Sequence, residues 1–337
     1  MGQVGGMAVD AQDHIWVLQR PETSDKDERA AEQNPPTSDC CVTTPAVLEF
    51  DSQGNVLRAW GGKGFVPDWP SNEHGIWVDG SGNVWLGGNA TDDRQLLKFS
   101  PDGKQLMEIG KKSKAPKNNQ DTSLLGRIAG IETDDAAHEV YIADGYLNNR
   151  IVVYDSRTGA FKRGWGAYGI PLSQVTNSVE QIEGEVQAAG AIAAYKPGDA
   201  PDKQFRSPVH CVRLARDGLV YVCDRHNDRI QVFTRQGKFV KEFFLEKATL
   251  NNGSTWALTF SRDPAQKYLL VADGENDKVW SMLRSDGSIV SSFGHKGRNA
   301  GQFYWLHQLV MDSKGNLYTG EVNNAKRVQK FVPVAGG

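Results

Sequence analysis

Short apolar runs that alternate with polar residues recur along the whole chain, and polar turns rich in Gly, Asp or Asn separate them. The segment GMAVDAQDHIWVLQR shows the pattern, with two apolar runs on either side of a polar turn. Period-two alternation with such turns is typical of half-buried β-strands joined in hairpins. Only residues 178–195 look helical. The pattern therefore predicts an all-β protein.

The hairpins form a repeating unit. Each unit opens with a strand pair such as HGIWVDGSGNVWLGG and continues with a second pair such as LLKFSPDGKQLMEIG. We count six units of four strands, except that the last ends after its third strand, at RVQKFV. Four-stranded units of roughly 40 to 50 residues are the signature of a β-propeller. We expect one six-bladed β-propeller domain over residues 1–337, in which residues before Met1 would complete the last, three-stranded blade.

Histidine occupies the same place in every second unit. Aligned on their turns, the six first strands hold at one position, in chain order, Gly5, His74, Ala129, His210, Trp256 and His307. The innermost strands of a propeller line its channel, so side chains from alternate blades would meet on the axis. Three neutral imidazoles with an open fourth position are the plan of a catalytic zinc site. A core histidine satisfied by hydrogen bonds explains any one of them, but not three in strict alternation.

Other reactive side chains follow the second strands of several units. Arg20 ends WVLQRP, Tyr146 follows in ADGYLNNRI, and Arg225 and His226 follow in CDRHNDRI. The geometry of a four-stranded blade puts these positions at the histidine end. A guanidinium can clamp a carboxylate, and a tyrosine beside Zn²⁺ or arginine can act as a base. The alternative for each is a loop residue that closes its repeat, which we prefer for Arg150 and Arg229.

Long insertions also fall at the histidine end of the predicted ring, at residues 22–44, 63–73, 112–127 and 170–203. Loops can lengthen wherever they do no harm, but that does not explain why all four share one face. We expect the insertions near 22–44 and 170–203 to lie over an active site.

Composition limits the partners. The net charge is −3 and no basic tract is present, so neither nucleic acid nor an anionic membrane is favoured. No apolar run approaches the roughly 18 residues of a membrane helix. We expect a monomer that acts on a small molecule or a peptide end. Because the chain starts almost inside a strand pattern, an upstream export signal and a periplasmic or secreted location are expected.

The four cysteines lack the CxxC spacing of a thiolate zinc site. Cys211 and Cys223 flank the turn at Asp217-Gly218, where they would lie nearly opposite in a hairpin. A disulfide and two buried thiols explain this pair equally well. The adjacent Cys40 and Cys41 lie in a polar loop and have no clear interpretation.

The repeat resembles the NHL type of six-bladed propeller. Within that type the chain resembles the peptidyl-α-hydroxyglycine α-amidating lyases over nearly its whole length. The segments that carry the resemblance are WPSNEHGIWVD, ADGYLNNRIVVY, FRSPVHCVRL, CDRHNDRIQVF and GQFYWLHQLVMD. The resemblance implies a zinc ion held by His74, His210 and His307. It also implies that Tyr146 is the base, helped by Arg20, and that Arg225 holds the substrate carboxylate while a carbinolamide splits into an amide and glyoxylate.

The chain departs from this family around the last histidine. The family has Met-Pro-His-Asp there, and this chain has WLHQ at positions 305–308. The resemblance implies a structural calcium on the axis, bound by that aspartate and by the carbonyls of Met7 and Ile76. Gln308 is neutral, which weakens the case for calcium.

The substrate pocket also differs from the family pattern. We expect Trp305, Trp256 and His226 to line it, and Trp305 to reshape it near the metal. The disulfide that the family has next to its DGY segment is missing, since Leu147 stands there.

Two other functions fit the same residues. A three-histidine site can hold zinc for hydrolysis, or iron or copper for redox chemistry, so a metal-dependent hydrolase or oxidoreductase is one alternative. A non-enzymatic NHL interaction module for a protein or RNA partner is the other. The acidic charge balance weighs against RNA, and the aligned histidines weigh against a pure scaffold.

Overall fold

The computed structural model describes residues 1–179 and 200–334, so most of the helix-like stretch 178–195 lies outside the described residues. The described residues form five four-stranded antiparallel sheets and one three-stranded sheet. Single turns of 3₁₀ helix span Pro21–Thr23, Ala30–Glu32, Ala167–Gly169, Leu172–Gln174 and Arg225–Asn227. No helix of this part of the chain is long and apolar enough to cross a membrane.

Each sheet is one blade, and its strands follow one another in chain order. Blade 1 contains β1 (Gln3–Val9), β2 (Ile15–Arg20), β3 (Val47–Phe50) and β4 (Val56–Trp60). Blade 2 contains β5 (Glu73–Val78), β6 (Val84–Gly88), β7 (Gln95–Phe99) and β8 (Gln105–Gly110). Blade 3 contains β9 (Ile128–Asp134), β10 (Glu139–Asp144), β11 (Arg150–Asp155) and β12 (Phe161–Trp165).

The second half of the ring repeats the plan. Blade 4 contains β13 (Val209–Leu214), β14 (Leu219–Asp224), β15 (Arg229–Thr234) and β16 (Phe239–Phe244). Blade 5 contains β17 (Ala257–Phe260), β18 (Tyr268–Asp273), β19 (Lys278–Leu283) and β20 (Ile289–Phe293). Blade 6 contains β21 (Leu306–Met311), β22 (Leu317–Glu321) and β23 (Val328–Phe331). The predicted six-bladed propeller with a three-stranded last blade is confirmed.

The polar turns of the repeat are built by one local arrangement. In blade 2 the Asp79 carboxylate accepts hydrogen bonds from the backbone N–H of Ser81 (3.0 Å) and of Asn83 (2.9 Å). Gly82 follows with φ of +80°, a left-handed conformation that glycine adopts without steric cost. The Asp-x-x-Gly-Asn sequence therefore specifies a tight turn between the first two strands.

The core lies between neighbouring blades, and the inner strands close the ring. Val4 and Met7 of β1 share one apolar cluster with Val310 of β21 and Tyr318 of β22. Burial of this seam joins the last blade to the first and removes apolar surface from water.

Two buried ion pairs close their repeats as the sequence predicted. Arg150 Nε donates to Asp144 at 2.8 Å, and Arg229 Nε donates to Asp224 at 2.7 Å. Arg150 also donates to the backbone carbonyl of Asn119 at 2.7 Å. Arg229 likewise donates to the backbone carbonyl of Asp202 at 2.7 Å, so each arginine ties an insertion to its blade.

The cysteines are paired in two disulfides. Cys211 and Cys223 face each other across β13 and β14 and are bonded, with a Cα–Cα distance of 4.8 Å. Of the two alternatives from the sequence, the disulfide is the one found. Cys40 and Cys41 are bonded to each other.

Candidate functional site

The three aligned histidines lie at the same structural position in alternate blades. Each is the extra residue of a β-bulge, because the register of its inner strand shifts between the residues on either side of His74, His210 and His307. A bulge leaves its extra residue out of the ladder and can re-aim that side chain. The bulges thus account for three side chains that leave the alternation of their strands and converge.

The imidazole rings form a nearly equilateral triangle. Their centroids are 5.1 Å apart for His74 and His210, 4.8 Å for His74 and His307, and 5.0 Å for His210 and His307. One ring nitrogen of each lies within 4.8 Å of the other two, and all three side chains are buried. Three imidazoles that meet in this way fit the donor set of a zinc ion.

Backbone carbonyls hold two of the rings from behind. His74 Nδ1 lies 3.0 Å from the Ala129 carbonyl, and His210 Nδ1 lies 2.5 Å from the Trp256 carbonyl. A nitrogen that faces a carbonyl must carry the proton, which leaves each Nε2 lone pair free for a metal. The third ring, His307, faces the backbone of Val4, which raises its pKa, but no hydrogen bond of good geometry forms at its Nδ1 among the described residues.

The electrostatic surroundings keep the triad neutral. Burial is the largest cause that lowers the pKa of all three histidines well below 6.5. The positive charge of Arg20 lowers the pKa of each further. The imidazoles are therefore in the form that binds metals at neutral pH.

The Tyr146 hydroxyl lies directly beside the triad. Its oxygen is 2.8 Å from His74 Nε2 and 3.0 Å from His210 Nε2. Because both Nε2 atoms are acceptors, the phenol can donate its proton to only one of them at a time. The hydroxyl borders the point on which the imidazoles converge, so it is placed to exchange a proton with a group bound there.

Arg225 lies against the same tyrosine. Its Nη1 is 3.5 Å from the Tyr146 hydroxyl, and its guanidinium packs over the Trp256 ring at 4.3 Å. Its Nη2 is 3.3 Å from His226 Nε2. Burial is the main cause that lowers the pKa of His226, followed by the Arg225 charge, so this second imidazole is also neutral.

Arg20 is held at the edge of the triad. Its Nε donates to the Glu73 carbonyl at 2.7 Å, next to His74, and its Nη1 donates to Gln3 at 3.0 Å. Burial lowers the pKa of Arg20, and the neighbouring Tyr146 and Glu73 raise it. A guanidinium keeps its proton in proteins, so Arg20 adds a positive charge beside the tyrosine.

Two tryptophans form a wall of the site. The ring centroids of Trp256 and Trp305 are 5.7 Å apart, and Trp256 is 5.8 Å from His307. Trp305 has φ of +58°, which is unusual for a bulky side chain. Its N–H donates to Asp277 at 2.8 Å, which helps to hold this backbone.

Two residues near the site did not emerge from the sequence. Arg127 packs over the Tyr146 ring at 5.8 Å and donates to the Asn89 carbonyl at 2.7 Å. The Glu73 carboxylate accepts from Trp69 Nε1 at 2.7 Å beside Arg20. Both lie just before the histidine position of the repeat: Glu73 begins β5, one residue before His74, and Arg127 immediately precedes β9.

The residues expected to bind calcium do not fit that ion. Met7, Ile76 and Gln308 line an axial void of about 10 Å³, which is room for one water or one small ion. The side chain of Arg213 lines the same void and donates to backbone carbonyls around it. Calcium binds six to eight oxygens, usually with carboxylates among them. Here the guanidinium of Arg213 puts a positive charge at the same void, although not on the Met7 or Ile76 oxygens, and Gln308 offers no charge.

Comparisons with known proteins agree with this picture. An NHL repeat family model matches residues 209–233. Peptidyl-glycine alpha-amidating monooxygenase A of Xenopus laevis is 26% identical over 347 residues, which cover 99% of this chain and 32% of that protein. Peptidyl-alpha-hydroxyglycine alpha-amidating lyase 1 of Drosophila melanogaster is 27% identical over 283 residues, which cover 79% of this chain and 46% of that protein.

A third relative is named for its repeats rather than for an activity. Similar solved structures bear on the fold alone. NHL repeat-containing protein 3 of Mus musculus is 29% identical over 304 residues, which cover 86% of this chain and 73% of that protein. A streptogramin B lyase structure aligns with a TM-score of 0.54 at 14% identity, covering 99% of this chain and 85% of that one. The chain spans about a third of the length of the amidating monooxygenases it matches. It contains an NHL repeat in a six-bladed propeller and resembles the peptidyl-α-hydroxyglycine α-amidating lyases.

Proposed function

We propose that this protein is a metal-dependent lyase that cleaves the C–N bond of an α-hydroxyglycine-like carbinolamide into an amide and glyoxylate. His74, His210 and His307 would hold zinc. The observation that carries the proposal is the convergence of three buried, neutral imidazoles beside the Tyr146 hydroxyl. The similarity to amidating lyases supports the choice of reaction.

The residues around the triad suit the steps of this reaction. Zinc, when bound, supplies Lewis-acid chemistry toward the substrate hydroxyl. Tyr146, as phenolate, takes the proton from that hydroxyl, and the arginines around it favour the phenolate. The carbon–oxygen bond becomes a carbonyl as the C–N bond breaks, and the proton passes to the leaving amide nitrogen. Arg225 holds the carboxylate that becomes part of glyoxylate.

The tryptophan wall restricts the substrate class. Trp305 stands where the resemblance places a methionine, and it packs against Trp256. A larger, flatter wall beside the metal leaves less width for a peptide chain and favours a small or aromatic acyl group. We therefore propose a small N-acyl-α-hydroxyglycine as the first substrate to assay.

The donor set alone also suits iron or copper, so a hydrolase or an oxidoreductase on the same triad is the second candidate. The relatives named only as NHL repeat-containing proteins leave a non-enzymatic module as the third. Plasma mass spectrometry of protein purified without chelator separates the three. Near-stoichiometric zinc with glyoxylate release supports the lyase, and iron or copper supports redox chemistry. No transition metal after reconstitution would contradict both enzyme proposals.

Replacement of the proposed base tests the mechanism. Tyr146→Phe should keep the bound zinc and lower kcat by about 10²- to 10⁴-fold, the usual contribution of a general base. Tyr304→Phe removes a hydroxyl away from the triad and serves as the control. Steady-state release of glyoxylate gives kcat, and an unchanged value for Tyr146→Phe would exclude this residue as the base.

The disulfides support a proposal on location. Such bonds persist mainly in oxidising compartments, so we propose a periplasmic or secreted protein. We further propose a monomer with one propeller domain, in which the insertions near 22–44 and 170–203 cover the site. Residues 180–199 of the second insertion lie outside the described residues.

A further inference from the structure

The six inner strands place equivalent backbone positions around the axis, two residues after the histidine position. We name this level the carbonyl ring; its members are Met7, Ile76, Ile131, Val212, Leu258 and Leu309. Three of its members, Met7, Ile76 and Ile131, line the axial void together with His210. The resemblance to the amidating lyases assigns calcium to two of these carbonyls, those of Met7 and Ile76.

One side chain reaches into this ring. Arg213 Nε donates to the Leu258 carbonyl at 3.2 Å, and its Nη1 lies 3.3 Å from the Ile131 carbonyl and 3.4 Å from that of Val212. These acceptors lie on β17, β9 and β13. The guanidinium also packs over the ring of Trp77, on β5, at 5.3 Å. Arg213 therefore contacts three inner strands besides its own.

The charge of this arginine is only partly balanced. Glu132 Oε2 lies 3.5 Å from Arg213 Nη1, and both side chains are buried. Burial raises the pKa of Glu132 to about 7, so this carboxyl is partly protonated at neutral pH. A guanidinium does not lose its proton in proteins. The channel therefore contains a permanent cation next to the carbonyl ring.

We propose that Arg213 is the axial cation of this propeller and takes the place of a calcium ion. Two differences from the family pattern then explain each other. A guanidinium carries one positive charge fewer than a divalent ion, and the neutral Gln308 carries one negative charge fewer than an aspartate, so the two changes offset each other. Backbone carbonyls accept hydrogen bonds from a guanidinium as they would coordinate a metal.

Arg213 is also a positioning residue for the triad, a step that rests on the proposed function. The carbonyls that orient His74 and His210 belong to Ala129 and Trp256. These residues precede Ile131 and Leu258, the acceptors of Arg213, by two positions on the same chain segments. Loss of a group that orients a metal-bound histidine typically lowers the metal affinity by about 10- to 100-fold.

Calcium titration of the wild-type, zinc-loaded protein is the first test. After dialysis into calcium-free buffer, added Ca²⁺ should neither bind in equilibrium dialysis nor change Tm. Stoichiometric binding of Ca²⁺ with a rise in Tm would overturn the proposal. This result does not depend on any catalytic activity, so it is separate from the proposed function.

Exchange of the cation is the second test. The double variant Arg213→Met/Gln308→Asp should bind Ca²⁺, and its Tm should rise when Ca²⁺ is added. The variant restores a carboxylate at position 308 and leaves the backbone carbonyls without the arginine. A folded double variant that neither binds Ca²⁺ nor changes its Tm would contradict the assignment of Arg213 as the axial cation. Arg262→Met is the matched control. Arg262 also donates to a backbone carbonyl, that of Asp312 at 2.8 Å just after β21, but this carbonyl is not part of the carbonyl ring.

Zinc retention tests the positioning role. Arg213→Met should transfer zinc to a chromophoric chelator at least tenfold faster than wild type. The reason is that the chain segments with the Ala129 and Trp256 carbonyls lose the hydrogen bonds that Arg213 donates to them. Arg262→Met should match wild type even if its Tm falls. Equal transfer rates for Arg213→Met and wild type would limit Arg213 to the axial-cation role and overturn the positioning role.

Discussion

At the residue scale, burial is the main cause that keeps the three imidazoles of the triad neutral. The three histidines of the triad are buried and neutral, whereas His138 and His295 are exposed. A neutral buried imidazole keeps a lone pair that water does not occupy. The difference between a metal ligand and an ordinary surface histidine therefore lies in the surroundings rather than in the residue type.

Loss of one triad member should empty the site. His210→Ala removes one of three imidazoles, and we expect most of the bound zinc to be lost because two neutral ligands hold it weakly. Plasma mass spectrometry of the purified variant measures the loss. His295→Ala, on the surface, should keep full occupancy. Full metal in His210→Ala would show that the triad is not the site.

A buried carboxyl away from the triad gives a pH dependence of stability. Burial is the main cause that raises the pKa of Asp228 to about 8, and Asp273 and Asp224 raise it further. A raised carboxyl pKa favours folding below the unfolded value near 3.9, and this contribution declines as pH rises through about 8. Wild type should therefore lose more Tm between pH 6 and pH 9 than Asp228→Asn does. Equal losses in thermal melts would contradict this expectation.

At the scale of the element, β13 combines four tasks in consecutive residues. His210 leaves the ladder at a bulge, Cys211 crosses to Cys223, Val212 packs between blades, and Arg213 enters the carbonyl ring. A bulge leaves one residue unpaired and shifts the pairing by one residue at that point, so that a single side chain is re-aimed. One strand thus carries a member of the triad, the disulfide to β14 and the arginine that enters the carbonyl ring.

The disulfide on β13 should contribute to global stability. Cys211→Ala/Cys223→Ala opens a bond that closes 12 residues, and we expect a loss of about 3 kcal/mol in the free energy of unfolding. Urea denaturation measures the change. Cys40→Ser/Cys41→Ser opens a bond between adjacent residues in an exposed loop and should change stability little. Similar losses in both double variants would contradict the expectation.

At the scale of the whole molecule, stability depends on ring closure. No disulfide joins blade 6 to blade 1 in the described part of the chain, and the polar contact of Ser313 with Asp13 supplements the apolar cluster of this seam. Gly320 lies at this seam, where an added Cβ would be 2.6 Å from Val4 Cγ1 and 2.7 Å from Met7 Sδ. There is no room for a larger residue.

Overpacking should loosen this seam. Gly320→Ala should lower the free energy of unfolding by about 1 to 3 kcal/mol, the usual cost of an extra methyl group in a packed core. Gly75→Ala, where the nearest atom would be 3.2 Å away, should cost less. Denaturant unfolding of both variants compares the two costs. A larger loss for Gly75→Ala would contradict the role of the seam.

The sequence by itself determined the strands, the number of blades and the phase of the histidines. Alternation, turn residues such as Asp79 and Gly82, and repeat length are local properties, and a repeat carries them into every blade. The position of His74, His210 and His307 in one phase was therefore enough to predict that they meet.

Only the tertiary structure decided how these residues meet and what surrounds them. The bulges and the bond between Cys211 and Cys223 depend on the pairing of two strands within a blade, and the approach of Arg127 to Tyr146 depends on the packing of the blades. Arg213 lies 82 residues from one carbonyl that it contacts. Sequence patterns record local backbone preferences, whereas a contact of this kind arises only when six blades close around one axis. Ring closure buries the guanidinium, and a buried charge is stable only where oxygen atoms accept its hydrogen bonds.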